Sequence, residues 1–369
     1  MAPFTENSYE QALIELLRDS LGYEYMHGPD IERDYHVPYH EAQLRDSLAA
    51  INHGKPLAAL DEAMKKLRDI DAGSMLQSNE LFMDWVQNGL PVSYFDKEEK
   101  HDIINLIDYD NPHVNTFQVV NQWTYVEKSE KRADIILFIN GLPLVLIELK
   151  SPSREETDVS EAYRQLRNYM KEIPQMFVYN AICVMSDMAE SKAGTITANE
   201  DRFMQWKSKD GQFEATEVVD YDTFFEGMFK KERLLNLIHN FICFDKDEGR
   251  TGKILAGYHQ YFAVIAAISN TERAVKGDGK IGVFWHTTGS GKSLSMVFYA
   301  HLLQSRVKQP TIIVITDRND LDDQLYGQFS RCKDFLRQTP VQAQSRQHLK
   351  EWLSQRVANG IIFTTMQKF

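Results

Sequence analysis

The sequence predicts an α/β chain in two parts, a mixed sheet flanked by helices followed by a parallel α/β lobe. Three observations predict it. Residues 8–186 alternate helical and strand patterns, in the order helix, strands, hairpin, helix, strand. Two apolar runs within that stretch meet at Asn140-Gly141, a hairpin signal. Farther on, a short apolar run, a glycine-rich loop and a helical pattern follow one another over residues 281–304.

The 369 residues suffice for two or three domains, and 43% hydrophobic with 25% charged residues is ordinary for a globular chain. A formal net charge of -12 excludes a surface coated in basic residues, so any DNA contact needs a local groove. The three cysteines, Cys183, Cys243 and Cys332, lack metal spacing and form no disulfide framework, which fits a reducing cytoplasm. The N-terminus is no signal peptide, and no apolar run reaches the ~20 residues of a membrane helix.

In order, residues 8–21 read as a helix with an apolar stripe (Tyr9, Leu13, Leu16, Leu17, Leu21) and Ser8 as its cap. Glu10 and Glu15 lie on it. Residues 22–26 read as a first strand, and 39–70 as helical, broken at Gly54-Lys-Pro56. Residues 81–89 read as a helix and 117–126 as a strand. Ser151-Pro-Ser reads as a turn, and 157–171 as a helix carrying Gln165 and Tyr169 on one face. Residues 177–186 read as one buried strand. Arg202-Phe-Met-Gln-Trp-Lys207 could touch nucleic acid or a neighbouring domain. Residues 234–244 read as a core helix, and 245–253, charged with two glycines, as a linker. The domains are then 1–244 (core 8–186, extension 187–244) and 254–369.

The hairpin carries the first candidate chemistry. Glu148 and Lys150, two apart, face one side of a strand. A three-residue loop, Asn140 to Leu142, sets Asp134 across from Glu148, whereas a two-residue loop sets them on opposite faces. Two carboxylates at one spot are hard ligands for Mg²⁺, and a lysine beside them can steady charge developing on a phosphate. Glu148 and Lys150 stand in an almost wholly apolar strand, so they must be paired or bound to something. Asp84, Glu98 and Lys100 repeat the spacing, but inside a solvated charge run with no apolar strand.

The second site is His286-Thr-Thr-Gly-Ser-Gly-Lys-Ser293 between an expected strand, 281–285, and an expected helix, 294–304. Gly289 and Gly291 let backbone amides approach phosphates, Lys292 reaches the β- and γ-phosphates, and Ser293 can ligate Mg²⁺. Residues 311–316 and 360–365 read as further strands, giving a parallel sheet. Gln260, at the start of a helix opened by Gly257, has an amide able to read an adenine edge.

These residues carry a resemblance. Asp134…Glu148-x-Lys150 resembles the PD-(D/E)xK nucleases. The chain from about residue 8 onward is similar to the restriction (motor and cleavage) subunits of type I restriction–modification enzymes. Lys131-Arg-Ala-Asp134, Asn140-Gly-Leu-Pro143 and Ile147-Glu-Leu-Lys150 look like that family's nuclease motif, and Gln165 with Tyr169 its accessory motif. Residues 285–293 look like helicase motif I, 315–324 like motif Ia, and 364–369 like a later motif of the first motor lobe. His286 departs from the usual glycine.

The resemblance implies a PD-(D/E)xK nuclease-like mixed sheet followed by part of a RecA-like helicase lobe. Asp134 and Glu148 would hold Mg²⁺, Lys150 would assist attack, and Gln165 and Tyr169 would position DNA or the site. Glu10, with Glu15 as the alternative, would be the first-helix acid. Gln260 would contact adenine, and Thr288, Gly289, Ser290, Gly291, Lys292 and Ser293 would bind ATP. Residues 316–318 would lie near the DNA track, and Trp206-Lys207 would face the motor. It also implies double-stranded DNA as substrate, modification and specificity subunits as partners, and a cytoplasmic enzyme that cuts after ATP-driven translocation. No Asp-Glu-x-x box follows the phosphate loop. The expectation is therefore an N-terminal fragment of a longer subunit, binding ATP weakly at best and not translocating DNA. A repair helicase–nuclease of the RecB type, a type III-like restriction subunit, and a non-catalytic docking domain on a motor are the competing readings.

Overall fold

The computed structural model describes residues 5–150, 159–187, 189–212, 220–355 and 360–369. It divides into two compact units, Met1–His239 and Asn240–Phe369.

The first unit opens on α1 (Glu6–Glu15), which continues through a π-helical turn at Leu16–Ser20. Its cap is Thr5, whose Oγ1 accepts from the Ser8 N–H at 3.3 Å, so the cap expected at Ser8 lies earlier in the chain. β1 (Glu24–His27) follows, then α2 (Glu41–Ile51) and α3 (Leu57–Arg68), parted at Gly54-Lys-Pro56 as expected. α4 (Met75–Asn88) is capped by Ser74, whose Oγ accepts from the Gln77 N–H at 3.2 Å.

β2 (Leu90–Asp96) and β3 (Glu98–Ile104) form a separate antiparallel hairpin. The charge run at Glu98 and Lys100, expected to lack a strand, is β3. It is largely solvated, with Lys100 paired to Asp96 at 3.1 Å.

β4 (Phe117–Val126), β5 (Glu130–Ile139), β6 (Leu142–Leu149), α5 (Val159–Glu172), α6 (Pro174–Val178), β7 (Ile182–Ser186) and β8 (Ser191–Gly194) complete the core, with α7 (Tyr221–Phe229) and α8 (Lys231–Asn240) after them. The turn expected at Ser151-Pro-Ser and the first residues of the helix expected at 157 lie outside the described residues. The six-stranded sheet runs β1-β4-β5-β6-β7-β8. β1/β4 and β6/β7 are parallel and the other pairs antiparallel, so the sheet is mixed. One face packs Ile136, Phe138, Leu146 and Met185 against Leu166 and Met170 of α5 and the following Ile173.

The single strand expected over 177–186 is split. Pro174 starts a short helix. The buried Asn79 of α4 then donates through Nδ2 to the carbonyls of Phe177, Val178 and Asn180 at 2.8–3.1 Å. Those carbonyls are thereby engaged before the strand begins.

The second unit starts with β9 (Ile242–Asp247) and β10 (Arg250–Leu255), an antiparallel hairpin closed at Glu248 (φ 41°) and Gly249 (φ 83°). The helix expected over 234–244 therefore ends at Asn240, and the stretch expected as a linker is this hairpin. Its charges sit on paired strands, with Asp247 opposite Arg250. Then come α9 (Tyr258–Ala274), α10 (Lys292–Arg306), β11 (Thr311–Thr316), α11 (Asn319–Arg331), the short α12 (Lys333–Leu336), β12 (Val341–Gln342), α13 (Arg346–Gln355) and β13 (Gly360–Thr365). The sheet is parallel, in the order β11-β13-β12. Residues 281–285, expected as a strand, form none. A strand needs a neighbour to engage its N–H and C=O groups, and this run is outside that ladder, with Val283 91% and Trp285 87% exposed. Among the described residues no helix is long and apolar enough to cross a membrane.

Candidate active site

The β5–β6 turn has two residues, Asn140 (φ 53°) and Gly141 (φ 81°), not the three expected. The surroundings enforce it. Buried Asn140 accepts from the Thr116 N–H at 2.8 Å and donates to the Leu106 carbonyl at 2.9 Å and to Asn115 Oδ1 at 2.8 Å. A Cβ at Gly141 would stand 2.6 Å from the Leu44 nitrogen, so only glycine fits.

A two-residue turn alone would put Asp134 and Glu148 on opposite faces. A bulge corrects this. Ile139 pairs Leu142 and Phe138 pairs Pro143, but Leu137 pairs Val145, leaving Leu144 as the extra residue. Pro143 has no N–H for the ladder beside it. Continuing the Ile135–Ile147 register places Asp134 opposite Glu148. The Leu149 N–H donates to Asp134 Oδ2 at 2.8 Å, which ties the two strand ends together.

Lys150 Nζ donates to Glu148 Oε1 at 2.7 Å and to its neighbour's carbonyl, Leu149 O, at 2.9 Å. Glu148 is 0% exposed and Lys150 6%. Glu148 Oε2 is buried with no partner. Burial, then the charge of Asp134, pushes the Glu148 carboxyl well above the usual range against the pull of Lys150. Burial likewise pushes Asp134 up to about 6, opposed by the Leu149 N–H and Lys150 and assisted by the charges of Glu6 and Glu10. Burial lowers the Lys150 ammonium, but Glu148 and Asp134 outweigh it and the net direction is up. A salt bridge at a strand end needs one acid and one base. Here a second buried acid is added and an oxygen is left over.

On α5, Gln165 Nε2 donates to Tyr169 Oη at 2.7 Å, and Tyr169 Oη donates to the Arg132 carbonyl at 3.1 Å. Burial raises the Tyr169 phenol, with the charges of Glu148 and Asp134 adding to it, so this pair borders the carboxylates. Glu10 is buried and its charge acts on Asp134, whereas Glu15 is exposed and bonded to Gln11 at 3.0 Å.

Sequence reasoning missed two neighbours. Asn121 Nδ2 and Gln122 Nε2 donate to the two oxygens of Glu10 at 2.6 and 2.8 Å. The signal was a pair of adjacent amides interrupting the alternation of β4. Trp206, expected to face a neighbouring domain or nucleic acid, is 2% exposed. Its Nε1 donates to the Ser208 carbonyl at 2.8 Å and its ring lies against Gly227. It is core because α7 brings a residue without a side chain against it.

In the second unit, Gly289 (φ 85°) and Gly291 (φ 78°) shape the loop ahead of α10, and Ser293 lies in the first turn of that helix. Lys292 is exposed, and Nζ donates to the carbonyls of His286 at 3.0 Å and Thr287 at 2.9 Å. Thr288 is exposed and Ser290 half-buried, its carbonyl 3.0 Å from His259 Nε2. Gln260 Oε1 accepts from the Gly257 N–H at 2.9 Å, and Nε2 donates to the Gly291 carbonyl at 3.0 Å. Gln260 therefore ties the start of α9 to the loop.

Known proteins are similar to this sequence. The family model described as "Type I restriction enzyme R protein N terminus" matches residues 3–202, and one described as "SWI2/SNF2 ATPase" matches residues 259–369. The chain is 39% identical over 389 residues to the type I restriction enzyme HindI endonuclease subunit of Haemophilus influenzae, covering 99% of this chain and 36% of that protein. It is 28% identical over 284 residues to the type I restriction enzyme SauMSSORF170P endonuclease subunit of Staphylococcus aureus, covering 75% of this chain and 28% of that one. The chain thus spans about a third of the length of these curated relatives.

Proposed function

The chain belongs to the type I restriction enzyme R protein family, and on that premise we propose that its first unit is a PD-(D/E)xK-type, Mg²⁺-dependent nuclease acting on double-stranded DNA. The observation that carries this reading is the Asp134–Glu148–Lys150 cluster, with a buried carboxylate oxygen left unpartnered.

The residues fit a divalent cation. Glu148 Oε2 is an orphaned hard ligand, and Asp134 supplies a second carboxylate. A bound ion would supply the positive charge that polarises a phosphodiester toward attack by water. The chain's own groups do the rest. Asp134 and Glu148 would hold the ion, and their burial would strengthen the pull by excluding competing solvent. Lys150 uses two of its three N–H donors on Glu148 and Leu149, leaving one for charge growing on a phosphate oxygen. Gln165 and Tyr169 brace α5 against the start of β5 and fix that edge of the site.

The second unit is the first RecA-like lobe of an ATP-driven translocase. The loop from Thr288 to Ser293 takes the phosphates, Lys292 exchanging its carbonyl partners for phosphate oxygens. Ser293 would help hold an Mg²⁺ ion there. The whole subunit works with modification and specificity subunits in the cytoplasm, where three cysteines outside any disulfide fit.

The test is Glu148→Ala in the full-length subunit within its complex. Cleavage should be lost while ATP turnover persists. Cleavage at the parent rate would refute the nuclease assignment.

A further inference from the structure

Neighbouring residues of a regular strand point to opposite faces, so one carboxylate cannot be met by both. Asn121 and Gln122 nevertheless bond the same one. β4 solves this by turning one residue out of the ladder. Asn121 pairs Ile135 and Trp123 pairs Ala133 in one unbroken register, so Gln122 faces Asp134, but the two are left out of the ladder and Gln122 stands at φ 54°. An L residue seldom adopts that conformation, and here it turns the Gln122 amide onto the side of Asn121. Asn121 Nδ2 then reaches Glu10 Oε1 at 2.6 Å and Gln122 Nε2 reaches Oε2 at 2.8 Å.

The clamp is itself held. Asn121 Oδ1 lies 3.2 Å from Tyr25 Oη and 3.0 Å from His27 Nδ1, which orients the amide with its N–H groups toward Glu10. Behind it, a Cβ on Gly28 would stand 2.6 Å from the Asn121 carbonyl oxygen and 2.9 Å from that of Gln122. Glycine there lets the chain close on this kink. Neutral amides orient the Glu10 carboxylate without cancelling its charge, and that charge acts on Asp134.

We propose that Asn121 and Gln122 are positioning residues that aim Glu10 at the Asp134–Glu148 cluster, where its charge strengthens divalent-ion binding. The inference rests on the nuclease reading above. Gln122→Asn tests it. Asparagine enters the left-handed region more readily than glutamine, so the fold should be kept, but its amide is one methylene short of Glu10.

Calcium binding to this chain is measured by calorimetry, alongside its thermal midpoint. Mg²⁺ dependence of cleavage is measured in the full-length complex. The expected result is a Ca²⁺ affinity lowered about tenfold with an unchanged midpoint, the scale for losing an outer-shell partner. The Mg²⁺ needed for half-maximal cleavage should rise in parallel, and Glu10→Gln should reproduce both effects without adding to them in the double variant. A lowered midpoint with unchanged Ca²⁺ affinity would mean a merely structural kink and overturn the proposal. Glu148→Ala separates the two readings. If it binds Ca²⁺ as the parent does, the nuclease site itself is wrong. If it loses Ca²⁺ while Gln122→Asn keeps it, only the clamp is wrong.

Discussion

Lys150 occupies one oxygen of Glu148, at 2.7 Å, and leaves the other buried and bare. Two acids therefore share one ammonium in a place from which water is largely excluded. Such a site is poised for a cation and is costly to the fold without one.

The cost gives a signed pH prediction. The Asp134 pKa is about 6 in the fold against an ordinary 3.8, so the folded state binds more protons between those values. Stability should fall as pH rises from about 4 to about 6 and stay lowered above that. Asp134→Asn, which can still accept from the Leu149 N–H, should then be more stable than the parent at pH 8 by about 1–3 kcal/mol, and equal to it near pH 4. Chemical denaturation at the two pH values measures this. A variant equally destabilised at both would contradict it.

The Tyr169 hydroxyl links α5 to β5 by accepting from Gln165 and donating to the Arg132 carbonyl. Tyr169→Phe keeps the buried ring and removes both hydrogen bonds. Stability should drop by about 1 kcal/mol. Cleavage should slow about tenfold, with the Mg²⁺ requirement unchanged, because the hydroxyl's hydrogen bonds run to Gln165 and the Arg132 carbonyl. A shifted Mg²⁺ requirement would assign Tyr169 to the ion site instead.

Gly141 sets the turn that starts the register. Gly141→Ala combines a left-handed backbone with a Cβ driven to 2.6–2.7 Å from the Leu44 nitrogen and the His40 oxygen. The loss should exceed about 2 kcal/mol. A thermal midpoint within a degree of the parent's would show that the α2 start moves aside freely.

Trp285 is 87% exposed beside the loop that carries Gly289 and Gly291, whereas Trp85, Trp123 and Trp206 are each 8% exposed or less. Nucleotide at Lys292 should alter the Trp285 emission, and Trp285→Phe should abolish the change. Lys292→Ala should remove the response to MgATP, because nothing else on the loop carries its charge. A response that survives Lys292→Ala places the nucleotide elsewhere.

The sequence by itself determined the strands and helices that carry the candidate residues. Period-2 and period-3.6 apolar patterns mark them, and Asn140-Gly141 and Gly54-Lys-Pro56 punctuate them with local turn chemistry. Asn121 and Gln122 were visible as a break in β4 but had no assigned partner, because Glu10 lies 111 and 112 residues away in the chain. Tertiary structure alone decided the register. Local rules favour two residues in the turn, and they would have separated Asp134 from Glu148. The bulge at Leu144 reunites them, and it is set by contacts across the sheet, where the Ala181 N–H donates to the Leu144 carbonyl at 2.7 Å. The same holds for residues 281–285 and 245–253. Apolar alternation permits a strand and glycine permits a linker, but only a neighbouring ladder supplies or withholds the hydrogen bonds that make either one real.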